Sequence, residues 1–116
     1  MTKVACIQMA SGPNVGANLF EAEKLVYQAS KQGARLVVLP ENFAIMGLKE
    51  TDKVAVREQD GHGPIQEFLA HTARRLGVWL VGGTIPLEAG DPAKVRAACL
   101  VYDDRGRRVA RYDKIH

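Results

Sequence analysis

The spacing of hydrophobic and polar positions changes several times along the chain, and the changes divide its first half into strands and a helix. Residues 3–9 (KVACIQM) form a β-prone apolar run that predicts a buried strand. From Asn18 onward, apolar residues recur three and four positions apart, which predicts a helix with Asn18 and Glu21 as its N-cap pair. Gly33 suits the left-handed position that ends such a helix. Residues 34–40 (ARLVVLP) follow as a second strand, and their near-continuous apolar run is typical of a parallel strand covered on both faces.

The same order of elements occurs a second time. Residues 60–64 (DGHGP) lead into a helix with Pro64 in its first turn, where the missing N–H costs nothing. Gly77 ends this helix, and residues 78–86 (VWLVGGTIP) form the third strand. Strands that alternate with helices predict an α/β fold with right-handed crossovers. The inner face of the second helix is predicted to comprise Ile65, Phe68, Leu69, Thr72 and Leu76.

The last third of the chain has the pattern of a hairpin. Two strand-like runs flank residues 103–106 (DDRG), a hairpin turn signal. The chain stops at His116, at the end of a strand and without a polar tail. This ending suggests that residues 1–116 are a piece of a longer protein. Alternation in the second run places Val109, Arg111, Asp113 and Ile115 on one face, and Ala110, Tyr112, Lys114 and His116 on the other.

Composition narrows the class of protein. Hydrophobic residues make up 47% of the 116 residues and charged residues 25%, which are ordinary values for one soluble globular domain. No apolar run approaches the roughly 18 residues of a membrane span. The N-terminus lacks the apolar region of a signal peptide, so a cytoplasmic location is expected.

Charge and ligand-type residues do not favour a nucleic-acid partner or a metal. The net charge of +3 is mild, and the arginines of residues 105–111 are offset by neighbouring aspartates, which favours a solvated hairpin. His62, His71 and His116 have no metal-ligand spacing. Two cysteines are too few for a disulfide framework.

A carboxylate follows the second predicted strand at once. In LVVLPENF (residues 36–43), Pro40 fixes the exit of the strand and Glu41 comes next. In open α/β sheets, sites form beyond the carboxyl ends of the strands. A carboxylate there borders a cleft and is partly desolvated, which raises its pKa and suits it to act as a base. The other interpretation is an exposed loop glutamate that satisfies a helix N-terminus.

Five segments, in chain order, resemble motifs of the nitrilase superfamily, the carbon–nitrogen hydrolases. KVACIQM resembles its opening strand, residues 18–41 its helix–Gly–strand approach to the glutamate, LVVLPENF its glutamate motif, GVWLVGGTIP its Gly-Gly strand and YDKIH its lysine motif. The resemblance spans the whole chain and implies a four-layer α-β-β-α sandwich, of which residues 1–116 are the N-terminal portion. It also implies no cofactor, and pairing through a helical face into dimers or larger assemblies. GGTIP and YDKIH are most similar to omega-amidases and deaminated-glutathione amidases, so the implied substrate is a small amide that bears a carboxylate.

The resemblance assigns roles to two residues. Glu41 would be the general base and Lys114 the lysine that stabilises the negative charge of the tetrahedral intermediate. The nucleophilic cysteine of the family lies beyond its lysine, so we expect residues 1–116 alone to be inactive. Cys6 and Cys99 both lie in the middle of apolar runs, where the pattern predicts buried core residues.

Two other interpretations remain open from the sequence. The chain could be a non-catalytic α/β binding module that keeps the scaffold. It could also bind a nucleotide through DGHGP, although this segment lacks the lysine and Ser/Thr of a P-loop.

Overall fold

A computed structural model describes residues 2–114 and folds them into one five-stranded sheet with three helices. The strands lie in the order β1-β2-β3-β4-β5, the first two pairs parallel and the last two antiparallel. The expected α/β class and the C-terminal hairpin are therefore confirmed, while the predicted positions Ile115 and His116 lie outside the described residues. The elements are β1 Lys3–Cys6, α1 Val15–Lys31, β2 Ala34–Val38, α2 Glu50–Ala55, α3 Pro64–Leu76, β3 Trp79–Glu88, β4 Val95–Tyr102 and β5 Arg108–Asp113.

Strand β3 joins the two halves of the sheet. It pairs parallel with β2, in a register that sets Leu36 opposite Trp79. On its other edge it pairs antiparallel with β4, with a register shift between Gly82 and Ile85. The N–H of Leu39 donates to the Val81 carbonyl at 2.9 Å, so the contact of β2 with β3 continues past the end of β2. The segment that follows β2 is thereby held against β3.

Helices α1 and α3 cover the same face of the sheet. Each connects neighbouring parallel strands taken in the same direction, and right-handed crossovers then place both helices on one side. The core lies between them and the sheet, where Val26 of α1 and Leu69 of α3 are fully buried with Val37, Leu80 and Leu100 of the strands. On the predicted inner face of α3, Ile65, Leu69 and Thr72 are buried, and Phe68 and Leu76 are partly buried.

The opposite face of the sheet is apolar and exposed in the described chain. Val4, Trp79 and Tyr112 all lie on it with large exposed areas. We call this surface the open face. Two expectations were wrong here: β1 is an edge strand with three of its four residues exposed, and β2 is covered on one face only. The reason is that the two long helices, α1 and α3, both cover the other side of the sheet.

The helix termini follow their local signals, with one exception. Gly33 and Gly77 adopt the left-handed conformation expected after α1 and α3, and Pro64 is in the first turn of α3. The predicted N-cap of α1 was wrong, because the Asn14 side chain caps the helix by accepting the Ala17 N–H at 2.9 Å. Asn18 is buried instead and donates to the carbonyls of Gly12 and Ala44, both at 2.8 Å.

Helix α2 was not predicted. It has six residues, too few to show an apolar period. The Asp52 carboxylate in its first turn accepts the N–H groups of Leu48 and Lys49 at 2.7 and 3.0 Å. A short helix of this kind is specified by such local hydrogen bonds.

A buried carboxylate, Glu58, organises the start of α3. It accepts the N–H groups of Ile65 and Gln66 at 2.6 and 3.1 Å, and the Gln66 side chain donates to it as well. Gly63 packs against it so closely that a Cβ would lie 2.3 Å from the Glu58 carboxyl carbon. The N-terminal amides of α3 therefore already bind an anion of the protein itself, at the place where DGHGP would have to bind a phosphate.

Replacement of Glu58 should destabilise the fold. Glu58→Ala leaves the backbone N–H groups of Ile65 and Gln66 without their acceptor, and we expect a loss of about 2–4 kcal/mol in the free energy of unfolding. Urea unfolding measures this loss. The control is Glu21→Ala on the exposed side of α1, which should change the stability by no more than about 0.5 kcal/mol. Equal stabilities of the two variants would contradict this role of Glu58.

A second buried carboxylate, Asp103, shapes the turn between β4 and β5. One of its oxygens accepts the backbone N–H groups of Arg105 and Arg107 at 3.0 and 2.9 Å, and the other accepts the Arg107 guanidinium at 3.0 Å. The Arg107 backbone N–H is the main cause that lowers the pKa of the Asp103 carboxyl, with smaller effects of the Arg105 N–H and the Arg107 guanidinium. The turn thus depends on a charged Asp103.

The stabilisation that Asp103 gives should therefore be lost at acid pH. Because its pKa is lowered by folding, the stabilisation is present above the unfolded value of about 3.9 and is lost as the pH falls through the folded value. We expect Asp103→Asn to lower the melting temperature at pH 6 and to flatten its decrease between pH 5 and pH 2. Thermal unfolding across that pH range tests this, and parallel curves for the two proteins would contradict it.

Candidate active site

Glu41 lies where the chain leaves β2. Before it, Leu39 is buried and bonded to β3 through its N–H. After it, Asn42 has a left-handed backbone with φ of 57°, and its N–H donates to the Thr84 hydroxyl of β3 at 3.0 Å. The turn that carries Glu41 is therefore attached to β3 on both sides of the carboxylate. The Glu41 side chain is 51% exposed, so its carboxylate is less desolvated than the sequence pattern suggested.

Lys114 follows β5 directly, and its N–H donates to the Ala97 carbonyl of β4 at 2.8 Å. Its backbone thus still follows the sheet. Its ammonium group contacts the Glu41 carboxylate in a hydrogen-bonded ion pair, although the two residues are 73 positions apart in the chain. The structure therefore brings together the two residues that the sequence singled out. The Lys114 side chain is 47% exposed.

A network of charges fixes the residue before Lys114. Arg111 binds Asp113 with two hydrogen bonds of 2.7 and 3.0 Å, and it also pairs with Asp60 at 3.1 Å. Arg108 bonds to Asp60 too. The hydrogen-bonded Arg111 guanidinium lowers the pKa of the Asp113 carboxyl, so Asp113 stays charged. The network joins the hairpin to the DGHGP loop, a contact that the local sequence did not reveal.

Two adjoining clefts lie beside the Glu41–Lys114 pair. The larger has a volume of about 480 Å³, and its lining includes Asn42 from the Glu41 turn and Thr84 from β3. The smaller has about 350 Å³ and is lined by Lys114. Lys94 lines both. These volumes are of the size that small-molecule sites occupy. A further cleft of about 490 Å³ lies near the start of α3, lined by residues that include Glu58 and His62.

The two cysteines do not lie in the core, contrary to the sequence prediction. Cys6 is exposed and Cys99 is half-buried, because both face the open side of the sheet. Burial raises the pKa of the Cys99 thiol, which disfavours the thiolate that a nucleophile needs. Cys6 is the last residue of β1 and Cys99 lies inside β4, and neither belongs to a helix N-terminus, the setting that activates a thiol.

Two further features concern residues 2–114, namely possible metal ligands and possible membrane-spanning helices. No group of three or more His, Cys, Asp or Glu side chains is arranged to hold a metal ion in that range. None of the helices in the described part of the chain is both long and apolar enough to cross a membrane.

Comparison with known proteins agrees with this arrangement. The model of the carbon-nitrogen hydrolase family matches residues 3–116. A deaminated glutathione amidase of Synechocystis sp. is 39% identical over 113 residues, which are 97% of this chain and 41% of that protein. Omega-amidase NIT2-B of Xenopus laevis is 32% identical over 115 residues, 98% of this chain and 40% of its own length. The chain thus spans about two-fifths of the length of these relatives.

The fold agrees as well. The crystal structure of Saccharomyces cerevisiae Nit3, a member of branch 10 of the nitrilase superfamily, superposes with a TM-score of 0.87 at 27% identity, over 99% of this chain and 44% of Nit3. The nitrilase-type α/β fold expected from the sequence is confirmed, and residues 2–114 supply one sheet and one helical layer of it. With the family match over nearly its whole length, the chain belongs to the carbon-nitrogen hydrolase family.

Proposed function

We propose that the full-length protein carrying this chain is an amidase that hydrolyses the amide of a small carboxylate-bearing substrate through a Glu-Lys-Cys thioester mechanism. The observation that carries the proposal is the contact of the Lys114 ammonium with the Glu41 carboxylate, beyond the end of β2. The contact sets a carboxylate, which can act as a base, beside an ammonium group, which can stabilise an oxyanion. Relatives named as amidases support the reaction class.

Each residue would have a separate task in the reaction. Glu41 takes the proton of a cysteine thiol, and the thiolate attacks the amide carbon. Lys114 stabilises the oxyanion of the tetrahedral intermediate. The C–N bond then breaks, ammonia leaves with the proton from Glu41, and a thioester remains. Glu41 next activates a water molecule that hydrolyses the thioester to a carboxylic acid and the free thiol.

The thiol would come from a cysteine outside residues 1–116. Cys6 and Cys99 lie within strands on the open face, and the raised pKa of Cys99 argues against a thiolate there. We therefore propose that these residues form the N-terminal portion of the catalytic domain and bring the base and the lysine to the active site.

The clefts beside the pair favour an anionic substrate. Lys53 and Lys94 line the larger cleft together with Asn42 of the Glu41 turn and Thr84 of β3. An ammonium group in a cleft attracts a carboxylate, so a substrate could place its carboxylate there and its amide near Glu41. Two relatives are named deaminated glutathione amidase and omega-amidase, and these names agree with a substrate of this class. The homodimer or larger assembly and the cytoplasmic location stay predictions.

Substitution of the pair tests the mechanism in the full-length protein. We expect Glu41→Gln to lower kcat by about 10²–10⁴-fold, because the general base is lost. Lys114→Met should lower kcat by about 10²–10³-fold, because the oxyanion loses its cation. Ammonia release from a monoamide of a short dicarboxylic acid measures both effects. The matched controls Glu21→Gln and Lys24→Met lie on the exposed side of α1 and should keep full activity. A Glu41→Gln enzyme with unchanged kcat would rule out this mechanism.

The 116-residue chain alone should release no ammonia from the same amide, since the proposed nucleophile is outside it. The measurement compares the chain, the chain with Cys6 and Cys99 both changed to Ser, and the full-length protein at equal molar concentration. Activity of the chain that disappears in the double variant would show that one of its own cysteines serves as the nucleophile. An inactive full-length protein would instead favour the non-catalytic binding module.

A further inference from the structure

We propose that Thr84 is a positioning residue for Glu41, acting through the backbone of Asn42. The inference rests on the proposed function, in which Glu41 is the general base. Thr84 contacts the turn that carries Glu41, and the hydrogen bond to Asn42 is the means by which it acts.

The position of Thr84 results from a bulge in β3. The register passes from Gly82 opposite Leu100 to Ile85 opposite Ala98, so β3 has one residue more than β4 over this interval. A bulge turns side chains away from their regular alternation. Thr84 is thereby buried, with 7% of its surface exposed, and its hydroxyl faces the turn after β2.

The hydroxyl of Thr84 holds the residue next to Glu41. It accepts the N–H of Asn42 at 3.0 Å, and it lies 3.5 Å from the Asn42 side-chain oxygen. Asn42 is the sole non-glycine residue with positive φ within residues 2–114, a conformation that Asn adopts more readily than most residues. The hydrogen bond stabilises this unusual backbone and so fixes the peptide group between Glu41 and Asn42.

The neighbouring residue holds the other side of the turn. A Cβ on Gly83 would lie 2.0 Å from the Leu39 carbonyl oxygen and 3.2 Å from the carbonyl carbon of Pro40. Only glycine allows β3 to approach the exit of β2 so closely. Gly83 and Thr84 together therefore fix the backbone on both sides of Glu41, the first by close packing and the second by a hydrogen bond.

The fixed backbone matters because Glu41 itself is half exposed and its side chain is not packed into the core. The direction of the carboxylate then depends on its backbone as well as on its contact with Lys114. Loss of the Thr84 hydroxyl would release Asn42 and displace Glu41 from the thiol and the water that it must reach. A displacement of about 1 Å can cost roughly 100-fold in rate.

The test compares substitutions at Thr84 in the full-length protein. Thr84→Val keeps the shape but removes the hydroxyl, and we expect kcat to fall about 10–100-fold while KM changes less than about threefold. Thr84→Ser keeps the hydroxyl and should retain kcat within about threefold. Thr72→Val, at a buried threonine of α3, is the matched control and should leave kcat unchanged.

Hydrogen exchange of the Asn42 amide gives a readout that does not need activity. The amide should exchange at least about tenfold faster in Thr84→Val, and at the wild-type rate in Thr84→Ser and Thr72→Val. This measurement decides the positioning role even if the wild-type protein releases no ammonia, an outcome that would overturn the proposed function alone.

Substitutions at Asn42 keep the inference testable if Thr84→Val does not fold. Asn42→Gly keeps the N–H and favours positive φ, so the amide of residue 42 should exchange at about the wild-type rate. Asn42→Ala disfavours that conformation and should lower kcat and speed exchange of its amide.

Four results would overturn the inference. They are unchanged kcat and protection in Thr84→Val, an equal defect in Thr84→Ser, full activity of Asn42→Ala, and a raised KM in Thr84→Val with the Asn42 amide still protected. The last result would mean that Thr84, which lines the larger cleft, touches the substrate directly.

Discussion

The parallel pairing of β2 with β3 is the constraint on which the site depends. It continues beyond β2 through the Leu39 N–H, and so places the Glu41 turn against the bulge of β3. Strand β3 also pairs with β4, and β4 with β5, which ends next to Lys114. Successive strand pairings therefore bring the base and the lysine together. Their mutual attraction contributes little to stability, because half-exposed ion pairs are worth no more than about 1 kcal/mol.

Two glutamates show how the surroundings decide the use of a carboxylate. Glu58 is buried and accepts three hydrogen bonds at the start of α3, so its oxygens are engaged in holding the fold. Glu41 is half exposed at a strand end, beside a lysine and a cleft. The N-terminus of α3, which the sequence suggested as a phosphate site, binds the Glu58 carboxylate instead. The proposed catalytic chemistry takes place at the end of β2, where Glu41 lies. Both residues have the same side chain, and only the folded structure distinguishes their roles.

Much of the fold could be predicted, since its signals are local. Pro64, Gly33 and Gly77 mark helix termini by their own backbone preferences, and the DDRG turn marks the hairpin. Glu41 and Lys114 were found through motif resemblance, which carries long-range information that spacing does not.

What could not be predicted depends on distant partners. Asn18 has a side chain suited to an N-cap, but in the structure it donates to the carbonyls of Gly12 and Ala44. Thr84 has the sequence setting of any strand residue, and only the bulge in β3 brings its hydroxyl to the Asn42 N–H. The exposure of Cys6 and of β1 likewise reflects which side of the sheet the helices cover. A residue's own sequence neighbours contain none of this information.

The open face has a practical consequence for spectroscopy. Trp79 is the one tryptophan of the sequence, and it lies on that face with 42% of its surface exposed. Indole emission shifts to shorter wavelength when water is removed from the ring, so the tryptophan fluorescence of the chain, excited selectively, reports on the surroundings of Trp79 on this face. Anything that comes to cover the sheet, whether a further segment or a second molecule, will be visible as a blue shift without any added label.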